Sequence, residues 1–170
     1  MPFDATVTRG EVVGLPALAQ EDGRQVGRVQ DLLCSAPSDR VIGLLLAGGT
    51  WRRRRVVPYE EVAAVGPAAV MLRRPVVLAS PNGPRLAAMR ARTGRVVGRR
   101  VLSRDGRDLG VVRDFDFEPL SGRITGYVVS GGVVQDLLDG QGFLPAGRRM
   151  TWGDGVLIVD PEPADGGDPD

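Results

Sequence analysis

Hydrophobic and polar positions alternate along this chain in short runs, each closed by glycine, proline or aspartate. Apolar runs of about four to eight residues with a period of two are the pattern of half-buried strands. They predict strands over Val12–Leu18, Val26–Ser35, Val41–Ala47 and Ala69–Leu72. The same pattern returns over Val96–Ser103, Leu109–Glu118, Ile124–Ser130 and Gly155–Val159. Asp22-Gly23 and Asp105-Gly106 separate the first two strands of each set and predict hairpin turns, because glycine enters the left-handed region without a Cβ penalty. Pro37-Ser38-Asp39 and Pro119-Leu120-Ser121-Gly122 predict the next turns. Pro58-Tyr59-Glu60-Glu61-Val62 predicts a short helical turn, with proline at a first helical position and acids beside it.

The two sets are copies of one unit. Gly10-Glu11-Val12-Val13-Gly14 opens the first and Thr93-Gly94-Arg95-Val96-Val97-Gly98 the second. After a one-residue offset the register holds through Asp22/Asp105, Gly23/Gly106, Gly27/Gly110, Val29/Val112, Asp31/Asp114, Ser38/Ser121, Arg40/Arg123 and Gly43/Gly126. It continues through Gly48-Gly49 against Gly131-Gly132, breaks at a longer insertion in the second copy, and resumes at Val57-Pro58 against Leu144-Pro145. An order kept over a whole domain length is the mark of duplication. The expected organisation is a lead-in over 1–8, a first domain over 9–75, a linker over 76–92, a second domain over 93–160 and a tail over 161–170. In the linker, Arg85–Arg92 predicts two helical turns with Leu86 and Met89 on one side. The tail, rich in Pro, Gly and acids, is predicted to be disordered.

The second strand of each copy changes phase. Val112 lies on one parity, Phe115 and Phe117 on the other; Val29 followed by Leu32 and Cys34 repeats the change. A period-two pattern switches faces only through an extra residue, so a β-bulge is predicted near Asp31 and Asp114. The aspartate would accept backbone N–H groups that the bulge releases. A bulge repeated at one place bends a strand, as closure of a small barrel requires. Asp22, Gly23, Gly27 and Asp31, with Asp105, Gly106, Gly110 and Asp114, are therefore read as barrel-building positions.

This ordered set, D-G-R-x-[VL]-G-x-V-x-D followed by a third strand after an S-x-R turn and a V-P-Y-x-x-V turn, resembles the PRC-barrel family. Both copies carry the resemblance, which covers nearly the whole chain. Asp136–Pro145 is similar to the corresponding part of stand-alone bacterial members. The resemblance implies an all-β fold of two tandem PRC-type barrels. It also implies a docking role, since members include the cytoplasmic domain of the photosynthetic reaction-centre H subunit and the C-terminal domain of the ribosome maturation factor RimM.

Composition narrows the chemistry. The chain of 170 residues holds no histidine and one cysteine, Cys34. Ser-His-Asp and Cys-His nucleophilic systems are thereby excluded, and a zinc site is not credible. Every basic residue is arginine, so no Gly-x-x-x-x-Gly-Lys phosphate loop exists. Net charge is +1, which implies no global polyelectrolyte behaviour. No cofactor, catalytic residue, small-molecule substrate or membrane segment is expected. The start lacks a basic-then-apolar leader, and the expected location is the cytoplasm. Asp114, Asp116 and Glu118 share one face of a strand, too widely spaced for a tight cation cage.

Candidate partner sites lie where the copies differ. Trp51-Arg52-Arg53-Arg54-Arg55 offers a stacking surface and four guanidinium groups to RNA or an acidic partner, or else shields a hairpin edge. Ile42, Leu44 and Leu46 lie opposite Val41, Gly43 and Leu45, so this strand reads as apolar on both faces and needs a cover. The other copy, or a second chain in a homodimer, would supply it. Val134, Leu137 and Leu138 form an apolar set in the second copy's insertion. The expected function is a non-enzymatic adaptor with a protein partner. RNA or ribosome association, and association with a photosynthetic reaction centre, are the alternatives.

Overall fold

The computed structural model describes residues 6–35, 39–48, 55–74, 84, 93–131, 142–147 and 149–160. The first copy contains β1 (Val7–Thr8), α1 (Arg9–Val12), β2 (Pro16–Ala19), β3 (Gln25–Ser35) and β4 (Arg40–Ala47). It continues with β5 (Arg55–Pro58), a 3-10 turn over Tyr59–Glu61, β6 (Val62–Val65) and β7 (Val70–Leu72). The second copy contains β8 (Thr93–Gly94), β9 (Arg100–Ser103), β10 (Asp108–Phe117) and β11 (Ile124–Ser130). It ends with β12 (Phe143–Pro145), β13 (Met150–Trp152) and β14 (Val156–Val159).

The strand order is β5-β4-β3-β2-β7-β6 in one sheet and β12-β11-β10-β9-β14-β13 in the other. Duplication in the sequence is thus duplication of a topology. Only β2 with β7, and β14 with β9, run parallel; the remaining neighbours are antiparallel. In the first copy β5 and β6 lie at opposite ends of this order. Yet β5 ends at Pro58 and β6 begins at Val62, so a three-residue turn brings the two ends together. The sheet must curl to allow it.

Bulges supply the curl. Between β3 and β4 the register slips at Val29/Asp31, leaving Gln30 unopposed. Between β10 and β11 it slips at Val112/Asp114, leaving Arg113 unopposed. Asp31 Oδ1 accepts the Leu32 N–H at 2.8 Å and Asp114 Oδ1 that of Phe115 at 2.9 Å, so each aspartate holds a backbone group at its bulge. A second slip in each copy leaves Ile42 and Thr125 unopposed.

That second bulge corrects the reading of Val41–Ala47. Ile42 does not share a face with Leu44 and Leu46, because the extra residue inverts the parity between them. Val41, Leu44 and Leu46 are buried, whereas Ile42 and Leu45 are half-buried. Leu44 and Leu46 belong to the core and present no surface to a partner.

The first predicted strands are shorter than Val12–Leu18 and Val96–Ser103. Residues Arg9–Val12 form one helical turn instead, with Thr8 as N-cap and Glu11 closing a capping box. β2 and β9 then begin only at Pro16 and Arg100. Gly14 and Gly98 interrupt the apolar runs at positive φ, and their N–H groups bond Val29 O and Val112 O, each at 2.8 Å. At Pro58 the helical turn is present, but proline is its N-cap and not its first residue. The helix expected over Arg85–Arg92, the tail over 161–170 and all of the linker over 76–92 except Pro84 lie outside the described residues.

The copies do not keep their lead-ins. β1 pairs with β10 in the second sheet, Val7 against Phe117 and Thr8 against Asp116. β8 pairs with β3 in the first sheet, Gly94 against Cys34 and Thr93 against Ser35. Each sheet therefore has seven strands, one of them donated by the other copy. Boundaries drawn at 8/9 and 92/93 fall inside this exchange. Buried residues of both copies form one continuous core, from Val12 and Leu44 to Phe117, Tyr127 and Leu157. No helix among the described residues is long and apolar enough to cross a membrane.

Candidate interaction surface at the seam

The turn tips at residues 39 and 122 meet across the seam. Arg40 and Arg123 form an antiparallel bridge. The Val41 N–H bonds Gly122 O at 2.7 Å, and the Ile124 N–H bonds Asp39 O at 2.8 Å. Val41/Ile124 and Asp39/Gly122 are equivalent positions of the repeat, so these two bonds are related by a pseudo-two-fold axis. Asp39 and Gly122 are both left-handed, at φ 46° and 74°.

Side chains lock the same contact asymmetrically. The Tyr59 ring lies against Gly122 and packs edge-on to Phe117, with centroids 6.2 Å apart. The Tyr59 hydroxyl donates to Pro119 O at 2.7 Å. Arg40 Nη1 donates to Ser121 O at 3.2 Å. From the second copy, the Tyr127 hydroxyl donates to the Asp39 carboxylate. Burial raises both phenols above the ordinary tyrosine range, and for Tyr127 the Asp39 carboxylate adds to the rise. Both hydroxyls therefore stay protonated and remain donors.

A second contact is built on α1. Arg9 Nε pairs with Asp31 at 2.8 Å, and the Gly10 N–H reaches Asp114 Oδ2 at 3.2 Å. One short helix thus touches the bulge aspartates of both copies. Asp116, two residues on, is half-buried across from Thr8. Its Oδ1 is enclosed and has no hydrogen-bond partner among the described residues. Burial lifts this carboxyl above the ordinary range, and Asp114 and Glu11 push it the same way.

The turn and bulge residues stand where the repeat puts them. Gly23 and Gly106 have φ of 70° and 88°. Asp22 Oδ1 accepts the Arg24 N–H at 2.9 Å, and Asp105 accepts the Ser103 hydroxyl. Gly110, at φ 113°, passes so near the backbone that an added Cβ would sit 1.8 Å from Gly131 O. At Gly27 the added atom would lie 3.1 Å from Leu46 Cβ. Asp114, Asp116 and Glu118 do not converge. Asp114 faces Gly10, Asp116 has one enclosed oxygen, and Glu118 bonds Arg123 and Ser121.

Of the basic run only Arg55 is described. It is half-buried, with Nη1 3.4 Å from Val26 O. Trp51, Arg52, Arg53 and Arg54 lie outside the described residues, as do Val134, Leu137 and Leu138. Other arginines serve the sheet itself, Arg28 on Gly14 O, Arg73 on Glu60 O and Arg99 on Gly153 O. Forked, permanently charged guanidinium groups suit this capping of carbonyls.

One surface residue had no signal in the alternation. Leu120, in the Pro119–Gly122 turn, is 70% exposed, the large hydrophobic left in solvent among the described residues. Its turn is clamped from the other copy by Tyr59, Arg40 and Val41. Its counterpart in the first copy is Pro37. That difference between the two turns is its signal in the sequence.

These features define a class, a fused pair of small bulged β barrels that exchange lead-in strands across one core. A family model for the PRC-barrel domain matches residues 6–76 and again residues 91–164, taking in both lead-ins. The protein belongs to the PRC-barrel family and carries the domain in tandem. No curated protein matches the chain.

Proposed function

We propose that this protein is a non-enzymatic protein-interaction module that docks through the seam turn bearing Leu120. The supporting observation is the exposure of Leu120 on a turn fixed by three hydrogen bonds from the other copy. A side chain held in place before binding loses little conformational entropy on binding. A partner of matching chemistry carries an apolar pocket, with polar groups placed for Glu118, Arg123 and Arg40 around it. The test is affinity capture from the native host with wild type and Leu120→Asp, with and without nuclease. Wild type should retain one saturable protein partner, indifferent to nuclease, and Leu120→Asp should lose it. Equal capture by both forms would remove Leu120 from the reading. Nuclease-sensitive capture that weakens with salt and falls on changing Arg52–Arg55 to serine would favour the RNA reading instead.

A further inference from the structure

The lead-in exchange is chemically unequal at its two ends. In the second sheet, β1 lies beside Asp116, and Glu11 of α1 and Asp114 of β10 are the charges that act on it. At the equivalent place in the first sheet the repeat has Leu33 for Asp116 and Arg95 for Glu11. The barrel forms with leucine at this position, so the fold itself does not demand a carboxylate. Only one of two equivalent joints carries three neighbouring acids.

Among the described residues nothing compensates Asp116. β1 offers Val7 and Thr8, neither titratable. Gly126 is its partner on β11. The cation of α1, Arg9, is bonded to Asp31. On β10 itself, Glu118 is bonded to Arg123 and Asp114 is turned to the Gly10 N–H. An enclosed carboxylate oxygen without a donor is costly when ionised. A proton removes the charge and gives the group a donor of its own.

We propose that docking of β1 and α1 onto β10 is a proton-sensitive latch, held loosely while Asp116 is ionised and tightly once it is protonated. The β8 joint on β3 lacks this carboxylate and is insensitive in the same range. The docked state binds the Asp116 proton more firmly than the released state, because burial disfavours the charged form. Docking therefore strengthens as pH falls through the raised value and weakens as pH rises above it.

Hydrogen exchange on the intact protein reads it directly, after correction for the chemical pH dependence of exchange. Protection of the segment over residues 6–12 should rise severalfold as pH is lowered from neutrality through the raised range of the Asp116 carboxyl. Protection of residues 93–98 should stay flat. Asp116→Asn should raise protection of 6–12 at neutral pH and abolish its pH dependence. Should that variant fold poorly, Glu11→Gln removes one repelling charge while glutamine keeps the capping box, and it should reduce the dependence in part. A wild-type 6–12 segment with no pH dependence would overturn the proposal. So would a dependence that survives in Asp116→Asn, or in Glu11→Gln at full size.

Discussion

Replacing Gly122 by alanine tests whether the two copies are one cooperative body. Two costs can be worked from the geometry. Gly122 sits at φ 74°, where a Cβ meets its own carbonyl and costs about 1–2 kcal/mol. The new atom would also lie 2.8 Å from Val41 O and 3.0 Å from Tyr59 Cδ1, both in the other copy. Neither neighbour is the loose end of a flexible side chain. The turn must retreat, stretching the Val41–Gly122 hydrogen bond, worth about 0.5–1.5 kcal/mol net. The sum is about 1.5–3.5 kcal/mol. With a urea m-value of about 2 kcal/mol/M, the midpoint falls by about 0.75–1.75 M.

The assay needs one reporter in each copy. Trp152 lies in the second copy against Tyr127 and Arg99, so its fluorescence in a Trp51→Phe background follows that half. Cys34 lies buried in the first copy and follows the other half by alkylation. Both transitions should coincide in wild type and move together in Gly122→Ala. The control is Asp39→Gly, the equivalent turn tip. It relieves a left-handed residue but strips Tyr127 of its acceptor, so the opposing terms leave a smaller loss than in Gly122→Ala. Separate transitions, or movement of the Trp152 transition alone, would refute the single shared core.

Two further outcomes follow from the titrating groups. Burial pushes the Cys34 thiol up to about 12, so alkylation near pH 8 should proceed only through opening of the first sheet, and rapid native labelling would contradict that burial. Glu118 is held below the ordinary carboxylate range by its bonds to Arg123 and Ser121. Its contribution is present above the ordinary value and is lost as pH falls through the lowered one. The Ser121 and Arg123 amide resonances should therefore titrate in acid in wild type and not in Glu118→Gln. An unchanged titration in the variant would assign it to another group.

What the sequence makes legible here is what a two-residue period can encode. The bulges at Gln30 and Arg113 appear as a parity change, because every later side chain reverses face. The second slip, at Ile42, stays hidden because its strand is apolar at each of Val41–Leu46, and parity carries no signal when both faces read alike. The lead-in exchange is silent for a different reason. Val7–Thr8 and Thr93–Gly94 are two residues each and attach through backbone bonds, which any side chain allows. The seam is silent too, since it joins residues such as Tyr59 and Pro119 that lie 60 positions apart.

Duplication converts this partial legibility into an argument about function. Positions alike in both copies, such as Gly27/Gly110 and Asp31/Asp114, answer to the one barrel both must build. Where the copies differ, that demand is lifted on one side. Leu120 against Pro37, Asp116 against Leu33 and Glu11 against Arg95 are three such places, and all three lie at the seam or at its lead-in joint. A fused pair can specialise one half because the other half still supplies the partner surface that each barrel needs. Exchanged lead-ins make that division permanent, since each half completes the other's sheet. Transplanting Leu33 into the second copy, as Asp116→Leu, should therefore leave the fold intact and remove only the proton response of residues 6–12. Loss of the fold in that variant, with Asp116→Asn still folded, would show that the copies are less interchangeable than their register implies.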